Sequence, residues 1–175
     1  MRAAWPLALF VLAAAPARAA DTTTPTAELF GGYSYTKSGD QGLNGGEASL
    51  AIRLTRWISA EADVSAHYGS ARGTRTSRLF FMGGPRLAYR GGGFTIFTHY
   101  LAGGVRSGSG LTVVGVHITE ARTDFAMAFG GGVDVGISDR WAVRAQADYA
   151  LIRADGATEK EPRLSAGFVY CVRAR

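Results

Sequence analysis

Hydrophobic and polar positions alternate with period two over residues 123–151. Phe125, Met127, Phe129, Val133 and Val135 share one parity, while Asp124, Ala126, Ala128, Gly130, Gly132, Asp134 and Gly136 share the other. After Ser138-Asp139-Arg140 the period resumes, with Val143, Ala145, Ala147, Tyr149 and Leu151 against Arg144, Gln146 and Asp148. Alternation of this length predicts two antiparallel strands joined by a tight turn. One face carries large apolar and aromatic groups, and the other mixes glycine, alanine and full charges. A soluble sandwich would turn the large groups inward; a membrane barrel turns them toward lipid and the small or charged ones toward the lumen.

The same pattern recurs along the chain. Residues 27–36 set Leu29, Tyr33 and Tyr35 against Glu28, Ser34 and Thr36; residues 46–55 set Ala48, Leu50, Ile52 and Leu54 against Glu47, Ser49, Ala51 and Arg53. Ala60, Ala62, Val64, Ala66 and Tyr68 then oppose Ser59, Glu61, Asp63, Ser65 and His67. Residues 79–90 place Leu79, Phe81, Leu87 and Tyr89 opposite Met82, Gly84 and Arg86, and Gly83-Gly84-Pro85 predicts a bend or bulge there. Residues 94–106 are apolar on both parities: with Arg106 inward, Thr98 and Tyr100 point inward and His99 outward, and the opposite assignment stands beside it. A final strand over 163–172 sets Leu164, Ala166, Phe168, Tyr170 and Val172 against Arg163, Ser165 and Gly167.

These segments make an eight-stranded antiparallel up-and-down transmembrane β-barrel, an all-β fold. The connections at 37–45, 69–77, 107–122 and 152–162 are polar and read as long loops, with the alternation of LTVVGVHITE (111–120) allowing the strands to extend into the longest, 107–122; those at 55–58, 90–93 and 138–140 are tight. Such asymmetry puts long loops on one side of a membrane and short turns on the other. Strands of about ten residues match a tilted bilayer crossing.

Residues 1–19 carry Arg2, an apolar run over 3–15 and the small-residue pattern Ala17-Arg18-Ala19. That is a signal peptide with cleavage after Ala19, too short for a spanning helix of about twenty apolar residues. The barrel domain is then 20–175. With Arg2 and Arg18 removed, the formal charge of +5 falls to +3. No Lys/Arg cluster interleaves with stacking aromatics, so nucleic acid is not an expected partner. The lone Cys171 excludes an internal disulfide and reads as a packed small hydrophobe.

The inward parity gathers Glu47, Arg53, Glu61, Asp63, Arg86, Asp134, Arg144, Asp148 and Arg163, a nearly balanced set. An eight-stranded barrel is only wide enough for its own side chains, which favours a salt-bridged plug over a narrow polar pore. Gly130 and Gly132 are expected to give the long arginines room. Tyr35, Trp57, Tyr68, Tyr89, Trp141 and Tyr149 fall near strand ends, as interfacial aromatics do.

FGGYSY (30–35), GPR (84–86), FTIFTHYLAGG (94–104), FGGGVDVGISDRWAVRAQADY (129–149) and LSAGFVY (164–170) together make the chain resemble the small outer-membrane β-barrel proteins of Gram-negative bacteria, similar to the transmembrane domain of outer membrane protein A. The resemblance implies location in the outer membrane, a structural or surface-interaction role, and contact with outer-membrane lipid, lipopolysaccharide and the outer-membrane assembly machinery, as a monomer. Larger members carry a peptidoglycan-binding domain after the barrel, and members tend to end on an aromatic residue; here the sequence ends Cys171-Val-Arg-Ala-Arg175.

An enzyme is not expected. Barrel deacylases show His-x-Ser on a strand, but His67, His99 and His117 are followed two residues later by Gly69, Leu101 and Thr119. His67 shares its parity with Asp63 and Ser65 and is the best catalytic candidate, although a histidine satisfied by its neighbours is the simpler reading. Metal-ligand spacing is absent and no cofactor is implied. Two alternatives remain: a low-conductance porin, and a soluble exported barrel binding a hydrophobic ligand. The inward Arg53, Asp63, Arg144 and Asp148 argue against the second. Arg72, Arg75 and Arg78, in or beside one polar loop, offer lipopolysaccharide phosphates as a loop contact, although a merely solvated loop is the simpler reading.

Overall fold

The computed structural model describes residues 25–39, 41–71, 74–113, 116–154 and 157–173, so the expected signal peptide lies outside the described residues. It has eight strands: β1 (Ala27–Ser38), β2 (Gln41–Arg53), β3 (Ile58–Ala71), β4 (Thr74–Gly91), β5 (Phe94–Val113), β6 (Val116–Gly136), β7 (Trp141–Ala154) and β8 (Ala157–Val172). Each pairs antiparallel with its successor, and β1 pairs with β8 from Ala27↔Val172 to Thr36↔Arg163, closing the barrel. Closure leaves no unpaired edge, the condition a sheet must meet to sit in lipid.

The polar connections are not long loops. Pairing runs unbroken to Ser38↔Gln41, Ala71↔Thr74, Val113↔Val116 and Ala154↔Ala157, so each is the upper part of a β-hairpin. Polar, glycine-rich composition shows only that the side chains tolerate water. The backbone groups still gain by pairing, and the strands entering each hairpin are already in register. The asymmetry between the two ends survives as strand overshoot, greatest in β5 and β6.

At the opposite end two turns share one geometry. The Leu54 and Thr55 amides donate to the Ile58 carbonyl at 2.9 and 3.0 Å, and those of Ile137 and Ser138 to Trp141 at 2.9 and 3.1 Å. The third turn uses Gly92 and Gly93 at φ 60° and 86°, the left-handed pair a tight hairpin requires. The bend expected at Gly83-Gly84-Pro85 is not a bulge. Gly83↔Ala102 and Arg86↔His99 keep one register, and only the bridges at Gly84 and Pro85 are missing from the β4–β5 ladder. Proline has no N–H to give.

Leu29, Leu50, Ile52, Val64, Phe81, Leu87, Phe129, Val133 and Phe168 all face outward with at least 40% of their surface exposed. For β5 the structure selects the second assignment: Phe97, His99, Leu101 and Val105 are buried in the lumen, while Thr98, Tyr100 and Arg106 are exposed. The inward parity is therefore not only small and charged. Phe80, Met82, Leu101, Val105, Ala126, Ala128, Ala150 and Ile152 form an apolar layer on the hairpin side, and Phe30, Ala142 and Val169 pack with Cys171 toward the short turns.

Candidate functional site: the ion-paired lumen

Arg86, Arg144 and Arg163, from β4, β7 and β8, are 0, 1 and 2% exposed, the largest of the fully buried side chains. Strand alternation aims all three inward, where a charge without partners would cost several kcal/mol. Arg144 forks onto Asp134, its register partner on β6: Nε donates to Oδ1 at 2.7 Å and Nη2 to Oδ2 at 2.9 Å. Arg86 Nη2 donates to the same Oδ2 at 3.3 Å, and its Nη1 lies 3.1 Å from Glu28 Oε2. Arg90 closes this group, donating through Nη2 to Glu28 Oε1 at 2.8 Å.

A second group surrounds Arg163. Its Nε and Nη2 donate to Asp148 Oδ2 at 3.0 and 2.7 Å, and its Nη1 to Asp63 Oδ1 at 2.9 Å and Ser65 Oγ at 2.8 Å. Glu47 accepts from Gln146 at 2.9 Å and from Ser165 at 2.6 Å. His99 joins the groups, with Nδ1 2.9 Å from Glu61 Oε2 and Nε2 2.9 Å from Asp148 Oδ1.

Aromatic faces complete the arginine contacts. The Arg86 guanidinium lies 3.8 Å from the Phe97 centroid, and that of Arg144 lies 4.5 Å from Phe97 and 4.9 Å from Phe30. Such stacking suits a planar, weakly hydrated cation. The space at the inward glycines goes elsewhere than expected. A Cβ on Gly130 would lie 2.2 Å from Asp148 Oδ1, and one on Gly132 would lie 2.9 Å from the Phe97 ring, so a carboxylate and a phenyl group occupy the room, not the arginines.

Of the nine lumen charges named from the sequence, Glu47, Glu61, Asp63, Arg86, Asp134, Arg144, Asp148 and Arg163 lie together in this network. Arg53 does not; it lines the short-turn mouth, half-buried, outside these ion pairs. Glu28, Arg90 and His99 complete the set and were not named. Charge balance carried a signal for them: five acids against four bases leave one acid over, and the inward parity of Glu28 adds another. His99 was hidden by a strand apolar on both faces.

Of the six aromatics, Trp57 stacks on Tyr89 at 5.7 Å, and Trp141 meets Tyr170 edge-on at 5.0 Å, both near the short turns. Tyr149 lies 5.6 Å from Phe129. Tyr68 is exposed and Tyr35 half-buried, both toward the hairpin end.

The catalytic candidate finds poor support. His67 Nε2 lies 2.9 Å from Ser34 Oγ, but His67 Nδ1 has no partner to orient the ring. Both side chains are fully buried. No group of three or more His, Cys, Asp or Glu suited to a metal occurs among the described residues.

The family model described as outer membrane protein beta-barrel domain matches residues 6–170. The fold is similar to Neisserial surface protein A at 11% identity and TM-score 0.64, covering 83% of this chain and 95% of that one. It is similar to Ail, the attachment invasion locus protein of Yersinia pestis, at 14% identity and TM-score 0.60, covering 84% and 99%. For the N-terminal β-barrel domain of Pseudomonas aeruginosa OprF the values are 12% and 0.53, covering 83% and 98%. No curated protein sequence matches the chain.

Proposed function

The chain belongs to the outer membrane protein β-barrel domain family and lies in the outer membrane, and from that premise we propose that it is a closed, non-conducting barrel with a structural and surface-interaction role. One observation carries this reading: three fully buried arginines are held by acids from several strands across a lumen only eight strands wide. A water-filled pore would hydrate those guanidinium groups. The apolar layer of Phe80, Leu101, Val105 and Ile152 on the hairpin side adds a second barrier. The same burial counts against an enzyme, since the Ser34–His67 pair is fully buried.

The interacting surface is the hairpin end, which overshoots the bilayer. Arg75 is exposed there, whereas Arg78 is held by Ser107 at 2.6 Å and Glu159 at 2.8 Å; Arg72 lies outside the described residues. A lipopolysaccharide phosphate would therefore meet Arg75 before Arg78. The Yersinia pestis Ail barrel has been solved with the heparin analogue sucrose octasulfate, so an anionic surface ligand suits this architecture. Export by the N-terminal leader, insertion by the assembly machinery and a monomeric state belong to the same proposal.

Fractionation with heat-modifiable gel migration tests it. The mature protein should sediment with outer membranes and migrate faster unheated than boiled. Recovery wholly in the soluble periplasm would overturn the reading.

A further inference from the structure

At the short-turn end the lumen opens into a mouth of about 720 Å³. Four arginines line it: Arg53 at the end of β2, Arg56 in the following turn, Arg90 on β4 and Arg173 just beyond β8. Three acids share the wall, Glu28, Asp134 and Asp139. Two of them are already engaged. Glu28 is held by Arg86 at 3.1 Å and Arg90 at 2.8 Å, and Asp134 by Arg144 at 2.7 Å and Arg86 at 3.3 Å. Arg90 Nη1 and Arg173 Nε are buried and have no hydrogen-bond partner among the described residues. Arg53 is outside the ion-pair network, and among the described residues of the wall only Asp139, in the β6–β7 turn, remains to oppose these charges.

Buried guanidinium donors without acceptors cost free energy until something accepts from them. Arginine's planar fork fits the oxygens of phosphate, and several arginines converging from separate strands suit an anion with many oxygens. Gly92 and Gly93 put no side chain into the opening. Trp57 and Trp141 stand at the rim, where indole rings mark the headgroup level of a bilayer.

We propose that this mouth is a phosphate-binding site, in which Arg53, Arg90 and Arg173 receive the phosphate of a lipid headgroup or of a soluble phosphorylated ligand on the periplasmic side. Family short turns face the periplasm, so the site lies opposite the surface hairpins.

The full mature chain, refolded in a maltoside detergent that brings no phosphate, is titrated with inorganic pyrophosphate by calorimetry. Binding is expected, weakening as salt rises. R53Q/R173Q should bind about tenfold more weakly, while R153Q, at an exposed position of β7 toward the hairpin end, should be unchanged. Heat-modifiable migration checks that each variant folds, and R53K/R173K, which keeps the charge, should retain part of the affinity. Repeating the titration in phosphatidylglycerol nanodiscs separates the sources. Loss of pyrophosphate binding there assigns the site to headgroup phosphate, and unchanged binding assigns it to a soluble ligand. Absence of binding in maltoside, or equal affinity in R53Q/R173Q and the parent, overturns the proposal.

Discussion

Arg144 and Asp134 face each other across the β6–β7 ladder and share a forked pair of hydrogen bonds, 2.7 and 2.9 Å long, with both side chains buried. Glu28 Oε2 also approaches both Arg86 and Arg144, at 3.1 and 3.6 Å, but Asp134 is the carboxylate that accepts hydrogen bonds from both.

Removing that carboxylate should therefore cost more than an ordinary core substitution. Asp134→Ala leaves Arg144 and Arg86 to share Glu28, and a loss of about 3–5 kcal/mol is expected in urea unfolding followed by gel migration. The double variant Asp134→Leu/Arg144→Met removes both charges and should cost clearly less than Asp134→Ala alone. A double variant less stable than the single one would contradict this.

The Phe97 ring depends on the absence of a side chain at Gly132. Gly132→Val should meet both the Ala145 backbone carbonyl and the Phe97 ring, 2.4 and 2.9 Å from the added Cβ, and cost about 1–3 kcal/mol through overpacking. Gly31→Ala is the comparison, because a Cβ there meets nothing within 4 Å. It should leave the urea midpoint almost unchanged.

The lipid face makes a prediction that separates a membrane barrel from a soluble one. Val133 is 40% exposed and lies on β6 within the expected bilayer span. Val133→Arg should cost about 2–4 kcal/mol in a bilayer, whereas the same arginine at exposed Thr123, toward the hairpin end, should cost almost nothing. Equal unfolding free energies for the two variants in lipid vesicles would count against the membrane reading.

Strand number, order and most facings were legible because period two is strict: a residue placed on the wrong parity would expose a charge to lipid. Asp134, Arg144 and Asp148 were inward on that ground alone. Two things were not legible. The polar hairpin ends read as loops, because Gly, Ser and Thr say little about whether their backbones pair. The facing of β5 was open because its lumen side holds Phe97, Leu101 and Val105, matching the apolar layer that β4, β6 and β7 present to it. His99 followed that ambiguity out of view. Arg53 shows the converse, since parity places it inward but its position at the end of β2 puts it in the mouth, outside the ion pairs of the network.

The closed lumen is tested most directly by single-channel recording of the refolded protein in planar bilayers. The ion-paired and apolar layers predict a flat current at every applied voltage. Reproducible conductance steps from folded, heat-modifiable protein would contradict the closed barrel.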